Sequence, residues 1–140
     1  MSAKIQSITA REIMAERGTL GLEVVVTTDT GAEGRSTPTT GVSMGKHEAA
    51  FVVDGEPRFG GRGLRKAVQN IEQVAPALIG IEVHRQREID QLLIELDGTP
   101  DKSKLGANAI VGISLAVCKA AAHAGGLPLY QYIGGVNACI

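Results

Sequence analysis

Apolar residues recur along this chain with two different periods, and the change of period divides it. Up to Thr37 the runs are short and β-branched. Ile5–Ile13 reads as a first strand, Leu22-Glu23-Val24-Val25-Val26-Thr27-Thr28 as a second and Gly34-Arg35-Ser36-Thr37 as a third, with Asp29-Thr30-Gly31 as a turn. Short connections favour antiparallel neighbours, so a three-stranded meander is expected. Thr37–His47 breaks all periodicity. Ala49–Val53 is apolar again, and Asp54-Gly55-Glu56-Pro57 is a turn. Leu64, Val68, Ile71 and Ala75 then predict a helix ended by Pro76, and Ile89, Leu92, Leu93 and Leu96 predict a second.

The next helix has an unusual composition. After Asn108, small residues return every four positions at Gly112, Ala116, Ala120 and Ala124, on one face of an α-helix. Such a face lets a neighbouring backbone approach closely. Ile110, Val111, Ile113, Leu115 and Val117 fill much of the remainder, so burial nearly all round is expected. Gly125-Gly126 can end the helix in the left-handed conformation, and Pro128 prevents its continuation. A short apolar segment, Leu129–Ile133, follows. Strands first and helices afterwards predict an α+β fold: an N-terminal three-stranded antiparallel meander followed by a helical layer.

Composition narrows the function classes. A chain of 140 residues with 44% hydrophobic and 21% charged residues fits one globular domain. A net charge of −1 provides no global basic field for nucleic acid or an anionic membrane. Aromatics make up 3%, without tryptophan, which disfavours a stacking platform for single strands. Residues 107–124 could be mistaken for a membrane span, but Lys119, His123 and the alanine content argue for a core helix. Cys118 and Cys139 are the only cysteines, too few for a disulfide framework, and Cys118 reads as a small core residue. The start of the chain has no charged-apolar-small secretion signal.

The strongest candidate for chemistry is the aperiodic run Pro38-Thr39-Thr40-Gly41-Val42-Ser43-Met44-Gly45-Lys46-His47-Glu48. Glycines at 41 and 45 let the backbone approach an anion or metal. Ser43 offers a hydroxyl and a carbonyl, both hard oxygen ligands suited to Mg²⁺. The run is not a nucleotide-binding P-loop: three residues, not four, separate the glycines, and His47 follows Lys46 where Ser or Thr is required. An ordinary surface loop is the competing reading. His84 and His123 lack metal-ligand spacing and read as structural. Lys102 and Lys104 could pair with Asp97 or Asp101, or simply solvate their loop.

Two long stretches carry a more specific signal. Leu96–Ala116, LDGTPDKSKLGANAIVGISLA, and Ala120–Gly135, AAAHAGGLPLYQYIGG, closely resemble the N-terminal domain of enolase (phosphopyruvate hydratase), and the resemblance runs from Ile5 to Asn137. It implies that residues 1–137 are a capping domain and 138–140 the start of a linker to a missing β/α barrel, with Gly134-Gly135-Val136-Asn137 linker-like. An abrupt stop at Ile140 is expected of a truncated chain. By the same resemblance, Gly41-Val42-Ser43-Met44-Gly45 matches the mobile catalytic Gly-Ala-Ser-Thr-Gly loop. Ser43 would then bind a second Mg²⁺ on loop closure, with the backbones of Gly41 and Val42 near the substrate phosphate. His47-Glu48 matches a neighbouring His-Glu pair without an assigned role. Arg11, Arg17 and Glu23 fall at positions near the family's dimer interface, with a solvated sheet edge as the alternative.

The implied reaction is the Mg²⁺-dependent interconversion of 2-phosphoglycerate and phosphoenolpyruvate in a cytoplasmic, glycolytic homodimer. The base, general acid and high-affinity Mg²⁺ ligands would lie in the barrel, so the 140-residue chain alone is expected to be inactive. Departures from the family pattern cluster at the strand end over Glu16–Val24, in the loop and on its flank. Met44 replaces threonine, Thr40 replaces serine, Thr39 replaces proline, and Val52-Val53-Asp54-Gly55 loses an arginine. These departures motivate a second reading, a paralogue acting on a related phosphorus-containing acid. A third reading is a free-standing, non-catalytic binding module.

Overall fold

The computed structural model describes residues 2–39, 41, 43, 45–55 and 57–138, apart from the side chain of Arg17. Strands β1 (Ile5–Met14), β2 (Leu20–Thr28) and β3 (Glu33–Ser36) form a three-stranded sheet in the order β1-β2-β3. Both pairings are antiparallel, with Arg11 opposite Glu23 and Val25 opposite Arg35. Helices α1 (Arg65–Leu78), α2 (Gln86–Asp97), α3 (Ala107–Ala124) and α4 (Leu129–Gly134) follow. The α+β meander-then-helices order is therefore as the hydrophobic pattern predicts.

The sheet's inner face and the helical layer share one core. Leu22, Val24 and Val26 from β2 are completely buried, as are Ala67, Ile71 and Leu78 of α1, Ile89 and Leu93 of α2, and Ile113 and Val117 of α3. Strand alternation puts the β2 residues on one face, and helical spacing lines up the others. The antiparallel pairing is extended at the edge of β1, where the Ile5 amide donates to the Ile81 carbonyl (2.9 Å) and Gly80 donates back to Ile5 (2.8 Å).

Two sequence expectations need correction. First, α1 passes through Pro76 and ends at Leu78. Proline forgoes only the bond to the carbonyl four residues back, at exposed Glu72, where solvent can take the freed acceptor. Continuing two residues further buries Leu78. Second, α3 is not buried all round: Val111 and Leu115 are 46% and 47% exposed, and Ala124 is also exposed. The sheet occupies only the Gly112-Ala116-Ala120 side, so the flanking apolar stripe faces outward. Cys118 is accordingly only half-buried, and burial pushes its thiol above the ordinary value. After α4, residues 135–137 form a short 3-10 turn.

The end of α3 is as expected. Gly126 has φ +65°; its amide donates to His123 and the Leu127 amide to Ala122, both at 3.0 Å. These paired bonds close the helix in a Schellman motif. Helix α1 starts differently, because Asp54 caps it from a distant segment. One Asp54 oxygen accepts the Lys66 amide at 2.8 Å and the other the Arg65 amide at 3.3 Å.

Candidate functional site

The aperiodic segment leaves the sheet after β3 and returns beside α3. At its start, the Leu22 amide donates to the Pro38 carbonyl (3.2 Å). Beyond it, the Ala50 amide donates to Asp101 (2.7 Å), and the Ala50 carbonyl accepts from Ala107 (2.8 Å). Between these anchors, Gly41 and Ser43 are exposed. A tight turn follows, in which a Glu48 carboxylate oxygen accepts the Gly45 amide (2.8 Å) and the Glu48 amide donates to the Gly45 carbonyl (3.2 Å). His47 is exposed beside that turn. Val42, Thr40 and Met44 lie outside the described residues. Ser43 is thus an exposed residue on a segment tied down on both sides.

The landing side depends on a loop organised by Asp97. One of its carboxylate oxygens accepts the Thr99 amide (2.9 Å) and the Thr99 hydroxyl; the other accepts the Leu105 amide (2.7 Å). Burial pushes the Asp97 carboxyl upward, but the Thr99 and Leu105 bonds outweigh it and hold the group below its ordinary value. Lys102 and Lys104 help to close this loop by donating to backbone carbonyls, Lys102 to Thr99 (3.2 Å) and Lys104 to Leu96 (2.9 Å). Backbone carbonyls, rather than Asp97 or Asp101 carboxylates, therefore receive these ammonium groups. The Asp101 carbonyl is presented to Ala50 as a result.

A polar cluster lies further along the chain. Arg58 donates two bonds to Glu12 of β1, at 2.7 and 2.6 Å, and Glu12 also accepts the Leu64 amide at 2.7 Å. The Arg58 bonds hold the Glu12 carboxyl below its usual range; Leu64 adds to this and burial opposes it. Arg58 also lies 4.6 Å from the ring centre of Phe59.

Arg11 and Glu23 meet on the outer sheet face. Their side chains approach to 2.6 Å, and Arg35 reaches the other Glu23 oxygen at 2.7 Å. The Arg11 bond, then the Arg35 bond, hold the Glu23 carboxyl low against the opposing effect of burial. Arg17 sits in the 3-10 turn between β1 and β2. The structure therefore joins Arg11 with Glu23 across the sheet, well apart in the chain from Ser43. His123 Nδ1 lies 3.0 Å from the Glu33 amide nitrogen, at the edge of β3, and His84 lies 3.4 Å from Glu82.

Among the described residues, no group of three or more His, Cys, Asp or Glu side chains could hold a metal ion. Ser43 fits Mg²⁺ chemically, as an exposed residue with two hard oxygens, but only as a ligand added to donors from elsewhere. Sequence reasoning missed Asn108, Asp54, Glu12 and Arg58. An asparagine opening an apolar helix marked Asn108 as unusual without revealing its partner; the Glu12–Arg58 pair, separated by 46 positions, had no signal.

Comparison with known proteins identifies the family of the chain. Residues 5–133 match the family described as enolase, N-terminal domain. The chain is 54% identical over 138 residues to a Thermococcus gammatolerans protein named enolase, and 53% identical over the same length to one from Thermococcus kodakarensis. Each alignment covers 98% of this chain and 32% of the relative, so the chain spans about a third of those proteins. With the matched segment running from the first strand into α4, this chain belongs to the enolase N-terminal domain family.

Proposed function

We propose that this chain is the loop-bearing N-terminal domain of a phosphopyruvate hydratase. The observation that carries the reading is the 54% identity to an enolase across 98% of the chain, including the segment that exposes Ser43. The reaction removes the proton at C2 of 2-phosphoglycerate and expels the C3 hydroxyl as water, giving phosphoenolpyruvate. A C-terminal barrel supplies the proton-transfer groups. Bound Mg²⁺ would offset the negative charge that develops on the substrate carboxylate.

This domain's own residues act on access and position. The Ser43 hydroxyl and carbonyl would serve as ligands to the Mg²⁺, and the backbones of Gly41 and Val42 would meet the substrate phosphate. Closure of segment 39–49 excludes water from the reacting centre. Exposed apolar side chains, Val111 and Leu115 on α3 and Ile133 on α4, offer a surface to the barrel. Arg11, Arg17 and Glu23 belong to a homodimer contact, and the protein works in cytoplasmic glycolysis.

A hybrid enzyme tests the reading. Residues 1–138 replace the matching segment of Thermococcus kodakarensis enolase, and phosphoenolpyruvate formation is followed across a Mg²⁺ titration. Turnover well above a no-enzyme control, falling sharply in Ser43→Ala, is expected. A folded hybrid with no turnover above that control would overturn the assignment.

A further inference from the structure

Both ends of segment 39–49 bear on the first turns of α3. At the take-off end, Pro38 fills the space beside Gly112: a Cβ on Gly112 would lie 3.2 Å from Pro38 Cγ and 2.8 Å from Val24 Cγ2. At the landing end, the side chain of Asn108 behaves like a neighbouring strand. Its Oδ1 accepts the Val52 amide at 3.2 Å, and its Nδ2 donates to the Val52 carbonyl at 3.0 Å. Asn108 and Gly112 are four positions apart, so they lie one turn apart on the same face of the helix.

We propose that Asn108 is a positioning residue, which with Gly112 clasps both ends of the segment carrying Ser43 onto α3. The consequence for turnover rests on the function proposed above; the clasp itself does not. Asparagine suits the task because its planar amide carries one acceptor and a donor group, matching the Val52 C=O and N–H. Aspartate keeps the acceptor but sets an oxygen against the Val52 carbonyl. Alanine leaves both backbone groups of Val52 without these partners in a buried setting, since Asn108 is 1% exposed and Val52 8% exposed. Releasing Val52 would also loosen Ala50, two residues nearer Ser43, whose amide bonds to Asp101.

Amide hydrogen exchange on the 140-residue chain tests the clasp. Ala50 is the reporter because its amide does not touch Asn108, and the Val24 and Val26 amides report the core. In Asn108→Asp and Asn108→Ala, Ala50 exchange should rise about tenfold or more relative to the core amides. Val117→Ala, farther along α3, should raise reporter and core together. The same joint rise in Asn108→Asp would mean a merely structural asparagine and would overturn the proposal, as would unchanged exchange. If Asn108→Ala fails to fold, Asn108→Asp still decides the matter. The hybrid enzyme separates the two ideas. A folded hybrid with no turnover would remove the functional reading and leave the exchange result standing. Impaired Ser43→Ala beside wild-type kcat in Asn108→Asp would overturn the positioning role.

Discussion

Gly34 in β3 and Ala116 in α3 meet with no side chain between them. A Cβ on Gly34 would collide with the Ala116 carbonyl oxygen and the backbone nitrogen of Ala120. The small-residue face of α3 therefore rests directly on the edge strand. The Ser36 hydroxyl donates to the Gly112 carbonyl, and Lys119 donates to the Arg35 carbonyl at 2.9 Å. Covering an edge strand in this way removes a template for pairing between chains. Gly34→Ala should push the helix off the strand and cost about 3 kcal/mol or more, at the upper end of overpacking penalties. Denaturant unfolding of the two proteins measures it; equal midpoints would contradict the close approach.

Ala116 tests the same contact from the helix side. It is fully buried, so a leucine there must displace either the strand or its neighbours. Ala116→Leu should lower stability by roughly 1–3 kcal/mol. The exposed neighbour Leu115 provides the contrast: in the 140-residue chain, Leu115→Ala should change stability by about 0.5 kcal/mol or less, as for ordinary surface positions. Thermal melts of both variants would show whether burial really divides α3 between adjacent residues.

Periodicity made these elements legible because it reports what each segment buries. The β-branched run at 22–28 became β2, and the four-residue spacing of Gly112, Ala116 and Ala120 became the sheet-facing side of α3. Periodicity could not say how far burial extends around a helix, since Val111 and Leu115 are as apolar as their buried neighbours. Nor could a helix-breaking rule weigh the buried Leu78 against the single bond lost at Pro76. The candidate site was legible as a break in pattern between Thr37 and His47, while its anchors were not. Asn108 contacts Val52 across 56 positions, and only the fold joins them.

The Glu12–Arg58 pair predicts a pH dependence. Glu12 has a folded pKa below its ordinary value of 4.5, chiefly because of Arg58. A depressed carboxylate contributes stability above its unfolded pKa and loses that contribution as pH falls through the folded pKa. Glu12→Gln should therefore destabilise the domain at neutral pH by about 1.5–3 kcal/mol, the range for hydrogen bonds to charged groups. The gap between wild type and Glu12→Gln should narrow as pH drops below about 4.5. Urea midpoints measured from pH 7 downward check both the sign and the window; a constant gap would exclude Glu12 titration as the cause.

Ser43 gives the sharpest separation of function from folding. Its position is exposed, so Ser43→Ala should shift stability by less than about 0.5 kcal/mol. Under the function proposed above, the same change in the hybrid enzyme would remove a metal-binding hydroxyl that matters only with substrate bound and the segment closed. An interaction made chiefly in that state is lost from kcat more than from substrate binding. Turnover should consequently fall well beyond anything the unfolding midpoint explains, and added Mg²⁺ should not fully restore it. The measurements are kcat and KM across a Mg²⁺ titration, together with thermal unfolding of the same preparations. Normal turnover at every Mg²⁺ concentration would eliminate the hydroxyl as a ligand. Turnover and stability lost in proportion would assign Ser43 to holding the loop's structure instead.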